Sequence, residues 1–345
     1  MPREPFSIGG QDIAPGTRAS VTLPVSALPD HTAVGLNVEV IHGKRAGPVM
    51  FVSAAVHGDE VIGVEIVRRL LRTSQLSNLR GTLLVVPIVN SFGFLARSRY
   101  LPDRRDLNRC FPGSESGSLG SRLAYIFLHE VVLRCDFGID LHSAAEHRTN
   151  LPQIRVTPRD ATTARMARAF GAPVILTSPL RDGSLRGEAA ARGTPVLLCE
   201  AGEGLRFDEF AVRVGVAGIL RVMRDEGMLA AKGIAKARTP SLICRASTWL
   251  RAPVGGLLRT FRAEGEIVEE GDVLAAISDP VGDVETELRA PGPGILIGRA
   301  VLPVVNEGDA VFHLAELSAS ANEDTMDALT AQLEADPLFD EDEII

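Results

Sequence analysis

The sequence contains few aromatic residues and no long apolar run. Among 345 residues there are 13 Phe, two Tyr and one Trp, so a surface for stacking nucleic-acid bases has little to be built from. The longest apolar run, residues 49–56, is interrupted only by Ser53 and has the length of a strand, so we expect no membrane span. The first twenty residues lack the apolar stretch of a signal peptide, and we expect a cytoplasmic protein.

The sequence also lacks closely spaced cysteine pairs, and outside its C-terminal tail it lacks a strong net charge. The four cysteines stand far apart without a CxxC motif, which argues against a cysteine zinc cluster and is typical of reduced thiols; they are Cys110, Cys135, Cys199 and Cys244. The formal charge is -8, but residues 318–345 hold nine acids and no Lys or Arg. The rest of the chain is therefore close to neutral, which argues against a nucleic-acid partner.

The distribution of apolar residues alternates between strand-like and helix-like segments. The run 49–56 is typical of a strand buried on both faces, and the helical stripe of VIGVEIVRRLLRT follows it. The alternation continues to residue 226 and predicts an α/β fold: a mixed, largely parallel sheet flanked by helices. Further strands are predicted at 33–41, 82–89, 137–141, 154–156, 174–176 and 195–199, and helices at 119–134, 161–170, 182–192 and 207–226.

The pattern changes after residue 228 and predicts a division into four parts. Residues 1–228 form the catalytic domain, and the basic, Ala-rich stretch 229–245 is a linker. Residues 246–317 hold short β-like pieces in two loosely repeated halves, APVGGLL…VEEGDVLAAI and APGPGIL…VNEGDAVFHL, which predicts a small all-β domain. Residues 318–345 form an acidic tail that we expect to be mobile.

Two histidines and a carboxylate follow predicted strands. His57 and Glu60 stand three residues apart directly after a buried strand, and His142 ends the strand 137–141. Ligands of open α/β sheets gather beyond the carboxyl ends of the strands, and a catalytic zinc takes three such nitrogen and oxygen ligands. Asp140 could orient a ligand from behind. An HxxE pair also arises by chance, and a lone histidine after a strand is often structural.

Glu200 is the candidate general base. It directly follows the apolar strand 195–199, where desolvation can raise a carboxyl pKa toward neutral pH. Such a group could take a proton from water and return it to a leaving amine. The alternative is a surface carboxylate at the end of a strand.

Residues 97–109 are predicted to form a cationic loop, which precedes the turn Pro112-Gly113. Five arginines and two acids occur in its thirteen residues, and Arg binds carboxylates through two parallel hydrogen bonds. Asn108 and Arg109 are anchored by the apolar Phe111 and are the predicted carboxylate ligands, whereas Arg104 and Arg105 can be a solvated surface. A phosphate substrate lacks support because no GxxxxGK[ST] or GxGxxG motif follows a strand.

Four motifs, in their order along the chain, make the sequence resemble the succinylglutamate desuccinylase/aspartoacylase family, whose members are relatives of the zinc carboxypeptidases. The matching motifs are AAVHGDE, RDLNRCFPG, DLHS and CEAGE. The resemblance implies one Zn²⁺ per chain on His57, Glu60 and His142, with Glu200 as general base and acid. It implies further that Asn108 and Arg109 hold the substrate carboxylate and that Arg99 polarises the scissile carbonyl of an N-acyl amino acid.

Some segments depart from the family pattern, and the role of others is not decided by the sequence. Ser143-Ala144-Ala145 follows His142 where the family often has Thr and Gly, so the acyl or side-chain pocket differs. Arg155 is either a further substrate contact or part of a structural strand. The β repeat resembles a biotinyl/lipoyl barrel sandwich, yet no lysine occurs after Lys236, which excludes a covalent carrier. We therefore expect the repeat to act in assembly or to cover the active site.

Three functions compete at this point. The first is deacylation of a small N-acylated amino acid. The second is a carboxypeptidase-like enzyme that trims acidic or γ-linked residues from a peptide. The third is a catalytically silent zinc-binding protein, against which the retention of Glu200 beside three ligands argues. The sequence leaves the oligomeric state open, a homo-oligomer included.

Overall fold

The computed structural model describes residues 3–317 and 323–335. The strands of the first half of the chain are β1 (Phe6–Ile8), β2 (Gln11–Ile13), β3 (Thr17–Ala27), β4 (Ala33–His42), β5 (Arg45–Ala54), β6 (Arg80–Val86), β7 (Phe137–His142), β8 (Arg148–Val156), β9 (Val174–Thr177) and β10 (Val196–Glu203). The helices among them are α1 (Ile62–Leu70), α2 (Ser91–Ala96), α3 (Leu119–Glu130), α4 (Ala161–Phe170), α5 (Leu185–Ala191) and α6 (Glu209–Asp225).

The C-terminal part is built from strands and one further helix. The strands are β11 (Leu242–Arg251), β12 (Gly256–Thr260), β13 (Ile267–Val268), β14 (Val273–Ser278), β15 (Glu285–Arg289), β16 (Gly294–Ala300), β17 (Val304–Val305) and β18 (Ala310–Leu317). The helix is α7 (Glu323–Ala335).

A twelve-stranded mixed sheet forms the centre, in the order β13-β16-β18-β11-β9-β8-β10-β7-β5-β6-β4-β3. The pairings β11–β9, β9–β8, β10–β7, β7–β5 and β5–β6 are parallel, and the other neighbours are antiparallel. The mixed α/β fold is thus confirmed. A largely parallel sheet is not confirmed, since five of the eleven pairings between neighbours are parallel. Between β7 and β8 the chain has only residues 143–147, too few for the crossover that a parallel neighbour needs, and β8 pairs antiparallel with β10.

Helices cover both faces of this sheet. Alternate side chains of β5 illustrate the two cores: Met50 and Val52 pack on the face that carries α1, α4 and α6, and Phe51 packs with Phe127 of α3 on the other. All four side chains are fully buried. A strand buried on both faces needs apolar residues at successive positions, which explains the nearly continuous run in the sequence.

Polar caps set the ends of the helices around the sheet. Asp160 accepts hydrogen bonds from the backbone N–H groups of Thr162 and Thr163 at the start of α4, and Gly171 ends that helix with φ 72°. Asp208 caps α6 in the same way through Ala211 N. The observed α4 has the bounds that the sequence pattern predicts, because both cap residues are local signals.

The C-terminal strands continue the central sheet. The strands β11, β13, β16 and β18 belong to it, while a separate four-stranded sheet has the order β15-β14-β12-β17. Strand β11 begins at Leu242, inside the segment expected to be a linker, and pairs there with β9. Strand β16 also pairs with β8. The division of the chain into a catalytic domain, a linker and a β domain stays a prediction.

Part of the acidic tail is an ordered helix. Leu329 of α7 is buried, and Met326 and Leu333 pack beside it against an apolar cluster that includes Leu151 and Leu242. These three side chains recur at helical spacing, so one stripe of an otherwise polar helix is covered. Residues 318–322 and 336–345, for which we also expect mobility, lie outside the described residues.

Two expectations from composition can be compared with the structure. All four cysteines are free. In the part of the chain that the structure describes, no helix combines the length and the apolar composition needed to cross a membrane.

Candidate functional site

The turn after β5 carries the first two candidate ligands. Residues 55–61 connect β5 to α1, and Ala55 adopts φ 51° at the end of the strand. Its carbonyl accepts a hydrogen bond from Asn90 N. A Cβ on Gly58 would lie 1.9 Å from the carbonyl carbon of Gly93 in α2, so this position needs glycine. The close packing against α2 fixes the direction in which His57 leaves the strand.

His57, Glu60 and His142 converge into one buried cluster. Nδ1 of His57 lies 2.6 Å from Oε1 of Glu60, and Nδ1 of His142 lies 2.7 Å from Oε2. The three side chains can each offer a ligand atom within 4.8 Å of the others. His142 joins them because β7 lies beside β5 in the sheet, with Ala54 level with Leu141.

Each histidine also contacts a second carboxylate through its other ring nitrogen. Nε2 of His57 lies 3.1 Å from Oδ1 of Asp106, and Nε2 of His142 lies 2.8 Å from Oδ2 of Asp140. Ser53 donates to the other oxygen of Asp140. A carboxylate behind a histidine sets its tautomer and ring orientation, and this arrangement is common for histidines that bind metals.

Glu60 and the two histidines stabilise each other's charged forms, so a bound metal ion would take the place of protons on the histidines. Burial alone would raise the pKa of Glu60, but His57 and His142 outweigh it and hold that pKa well below its usual range. Burial alone would lower the pKa of His142, yet Asp140 and Glu60 raise it well above normal. Two imidazoles and one carboxylate, buried and converging, form the donor set of a catalytic zinc site, so the residues present fit that ion.

Arg99 bridges the cluster and the loop that follows α2. Its Nη1 donates to Oε1 of Glu60 at 3.2 Å, and its Nε and Nη2 donate to Oδ2 of Asp106. Burial lowers the pKa of Arg99, but Glu60 and Asp106 outweigh it and raise that pKa. The guanidinium therefore stays charged beside the candidate metal ligands.

Glu200 lies on the strand next to His142. The two residues are level in the parallel pair β10–β7. Asn150 donates from Nδ2 to Oε2 of Glu200 at 3.2 Å, and Arg155 forms an ion pair with Oε1 at 3.4 Å. The side chain of Glu200 is 14% exposed, and it lines the same cavity of about 270 Å³ as the His57, Glu60 and His142 cluster.

Asn108 and Arg109 line this cavity as well. Oδ1 of Asn108 accepts a hydrogen bond from Leu185 N at the start of α5, so the amide nitrogen of Asn108 is the group that can donate to a ligand. Arg109 is an exposed residue whose Nη1 donates to the carbonyl of Asn108. Arg104 and Arg105 of the same loop are exposed and are not among the residues that line the cavity.

Six arginines line the cavity, among them residues that the sequence did not single out. They are Arg99, Arg109, Arg148, Arg155, Arg181 and Arg186. Trp249 of β11 is also part of the wall. A local signal existed for Asp106, which is the acid of the DLNR motif, but its contact with His57 comes from the fold. Arg186 and Trp249 had none, because only the chain fold brings α5 and β11 to this place.

A second, larger cleft of about 340 Å³ exists elsewhere. It is lined by residues such as His42, Lys44 and Leu76 and shares no lining residue with the cavity around Glu200. His42 is held there by Thr82 and by the carbonyl of Glu4. Among the described residues, the metal-binding combination belongs to the smaller cavity, which is therefore the candidate active site.

A buried His-Glu-His cluster at the carboxyl ends of adjacent strands defines an α/β protein with a potential metal centre. The catalytic-domain profile of the succinylglutamate desuccinylase/aspartoacylase family matches residues 46–225. The chain belongs to this family, and the resemblance seen in the four motifs is confirmed. The match contains all seven candidate site residues from His57 to Glu200.

Individual relatives agree with this assignment. The chain is 32% identical to the N-alpha-acetyl-L-2,4-diaminobutyric acid deacetylase of Halomonas elongata over 162 residues, which are 45% of this chain and 47% of that protein. The chain thus spans about half the length of this curated relative.

Two solved structures match over most of their length. The ectoine utilization protein EutE (DoeB) from Ruegeria pomeroyi, in a product-bound structure, has a TM-score of 0.77 at 25% identity, covering 87% of this chain and 94% of its own. A succinylglutamate desuccinylase/aspartoacylase from Rhodobacter sphaeroides has a TM-score of 0.76 at 26% identity, with 87% and 96% covered. Residues 1–225 make up about two thirds of the chain, so a coverage of 87% extends into its C-terminal part.

Proposed function

We propose that the chain is a zinc-dependent amidohydrolase that removes the acyl group from an N-acyl amino acid. One observation carries the proposal: the cluster of His57, Glu60 and His142 lines one cavity together with Glu200 and the Asn108–Arg109 pair. A deacylase of this kind needs a metal site, a proton acceptor and a carboxylate anchor within reach of one small substrate.

His57, Glu60 and His142 would hold the zinc ion. When bound, zinc supplies Lewis-acid chemistry, lowering the pKa of water and polarising a carbonyl oxygen. Asp106 and Asp140 would accept hydrogen bonds from the Nε2 atoms and leave the two Nδ1 atoms, which face Glu60, as the donors to the ion. The protein contribution at this end is therefore a preset, buried set of donors.

Glu200 moves the proton. Its carboxylate accepts a proton from the attacking water and delivers it to the amide nitrogen as the C–N bond breaks. Water thereby adds to the acyl carbon, and the products are a carboxylic acid and a free amino acid. Arg99 offers N–H donors to the carbonyl oxygen, where negative charge develops.

Asn108 and Arg109 fix the position of the substrate. The amide nitrogen of Asn108 and the guanidinium of Arg109 can donate to the carboxylate of the amino acid. Holding that carboxylate places the scissile amide over the metal site and Glu200, and such orientation removes much of the entropic cost of the reaction.

The cavity favours an acidic side chain on the substrate over a basic one. Arg186 is buried, and its Nη1 has no hydrogen-bond partner among the described residues. Burial, with Arg155 nearby, lowers the pKa of Arg186 to about 10. An anionic group is the ligand that would pair with this guanidinium, whereas the amine of a diaminobutyric acid derivative would be repelled by it.

The decisive experiment compares Glu200→Gln with Glu203→Gln, an isosteric change at a carboxylate of the same strand that is not part of the cavity wall. Wild-type protein is assayed on N-acetyl, N-succinyl and N-formyl amino acids with acidic, neutral and amine-bearing side chains, and on γ-glutamyl peptides. Glu200→Gln should lower kcat by about 10²- to 10⁴-fold and keep its zinc, and Glu203→Gln should match the wild type. Full activity of Glu200→Gln would remove Glu200 as the base.

The same panel separates the competing functions. Preferential cleavage of γ-glutamyl peptides would replace the deacylase by the peptide-trimming enzyme. A zinc-loaded protein that hydrolyses no member of the panel would favour the silent binding protein.

A further inference from the structure

A row of residues crosses four strands and connects the C-terminal strands to Glu200. Trp249 of β11 is level with His313 of β18, and His313 is level with Gly298 of β16. Gly298 is in turn level with Asn150 of β8. Asn150 is the residue that donates to Glu200, so the row ends at the candidate base.

Two donors hold Glu200, one on each carboxylate oxygen. Asn150 donates to Oε2 and Arg155 pairs with Oε1. Contacts on both oxygens limit the rotation of the carboxylate plane, which decides where its remaining lone pairs point. Asn150 is 6% exposed, and a buried side-chain amide of this kind is held in a narrow range of orientations by its neighbours.

Gly298 sets the space that Asn150 occupies. A Cβ at residue 298 would lie 2.6 Å from Oδ1 of Asn150 and 2.9 Å from the carbonyl oxygen of Thr149. The register of β16 shifts between Leu296 and Gly298 at this place. Strand β16 therefore approaches β8 so closely that its backbone forms one wall of the Asn150 side chain.

We propose that Asn150 is the positioning residue of Glu200, and that β16 of the C-terminal strands holds Asn150 in place through Gly298. The C-terminal strands are then part of the catalytic machinery rather than a cover or an assembly surface. This inference rests on the proposed function, because it assigns to Asn150 a task in a reaction that Glu200 carries out.

The first test is Asn150→Ala in zinc-loaded, full-length protein. Loss of a hydrogen bond to a charged group should lower kcat by about 10- to 100-fold. KM and the zinc content should stay at the wild-type values, because Asn150 is not one of the groups that anchor the carboxylate or the metal. If Asn150 had a merely structural role, the variant would instead have a lower thermal midpoint of unfolding and would not combine a lowered kcat with an unchanged KM.

The second test is a double-mutant cycle with Gly298→Ala. This variant should lower kcat like Asn150→Ala, since the new methyl group displaces the amide. In the Asn150→Ala background the same change should have a smaller effect on kcat, because the displaced amide is gone and only the close contact with the Thr149 carbonyl oxygen remains. Gly292→Ala is the matched control in the same strand-turn region, as nothing lies within 4 Å of a Cβ there, and it should keep wild-type kcat.

The outcomes separate this inference from the proposed function. A wild-type protein without activity on the whole substrate panel contradicts the proposed function. An active wild type with unchanged kcat in Asn150→Ala overturns the inference alone. The inference is also overturned if Asn150→Ala and Gly298→Ala lower kcat by independent factors that multiply in the double variant. A loss of kcat that comes only with loss of zinc or of folded protein overturns it as well.

Discussion

The indole of Trp249 stacks on the imidazole of His313, with ring centroids 4.5 Å apart and planes inclined by 12°. The two residues are level on the antiparallel pair β11–β18, so the contact follows from strand register. Arg148 lies over the same indole at 5.3 Å. A stack built in the C-terminal strands thereby reaches the wall of the candidate active site.

Protonation of His313 should weaken the folded state. Burial, reinforced by Arg155, lowers the pKa of His313 to about 3, below the value of about 6.5 for an unfolded chain. The unfolded state therefore binds one more proton between these values, and the free energy of unfolding should fall by about 1.4 kcal/mol per pH unit as the pH drops through this window. His313→Phe keeps a stacking ring but cannot titrate. Urea unfolding at pH 5.5 and 4.5 should show a weaker loss in this variant than in the wild type; equal losses would contradict the prediction.

Metal content should depend on the three converging side chains and on the carboxylates behind them. Elemental analysis should find about one zinc per chain in the wild type and none in Glu60→Ala. Asp140→Asn keeps all three ligands but weakens the support of His142, and it should lower zinc affinity by about 10- to 100-fold in a chelator competition. Asp103→Asn, an exposed acid of the arginine-rich loop, is the control. A folded wild-type protein that binds no zinc would end the proposed mechanism.

Removal of the carboxylate anchor should affect binding more than folding. Arg109→Ala should lower kcat/KM for N-acyl amino acids by about 10- to 100-fold, because a charge-assisted hydrogen bond to the substrate is lost. Arg104→Ala, in the same loop but outside the cavity wall, should behave like the wild type. Steady-state kinetics on a substrate and on its carboxamide analogue measures the effect. If the wild type hydrolyses the carboxamide equally well, the anchor has been assigned wrongly.

The helix in the acidic tail should contribute to stability through one side chain above all. Leu329 is 1% exposed and packs in the cluster beside Leu151 and Leu242, so Leu329→Ala should lower the free energy of unfolding by about 2–5 kcal/mol. Thr330→Ala changes an exposed neighbour and should have an effect near zero. Denaturant unfolding of both variants checks this, and equal stability of the two would show that α7 is not docked in solution.

Local sequence signals predicted much of the fold and seven residues that the structure brings to one cavity. The apolar run of β5 predicts a strand buried on both faces, because that requirement acts on each residue separately. Asp160 and Gly171 bound α4 for an equally local reason. His57 and Glu60 are three residues apart in one turn, and the four motifs identify the family from short segments alone. Such features depend on neighbours in the chain, which the sequence displays directly.

Strand order and register decided the rest. The antiparallel direction of β8 brings Asn150 and Arg155 to Glu200, and the pairing of β11 with β18 and of β16 with β8 brings Trp249 and Gly298 to the same place. Asp106 meets His57 across 49 residues of sequence. The amino-acid sequence by itself determined which chemical groups a site can contain. Only the tertiary structure decided which of them meet, because contacts between strands depend on the order, direction and register of those strands in the sheet.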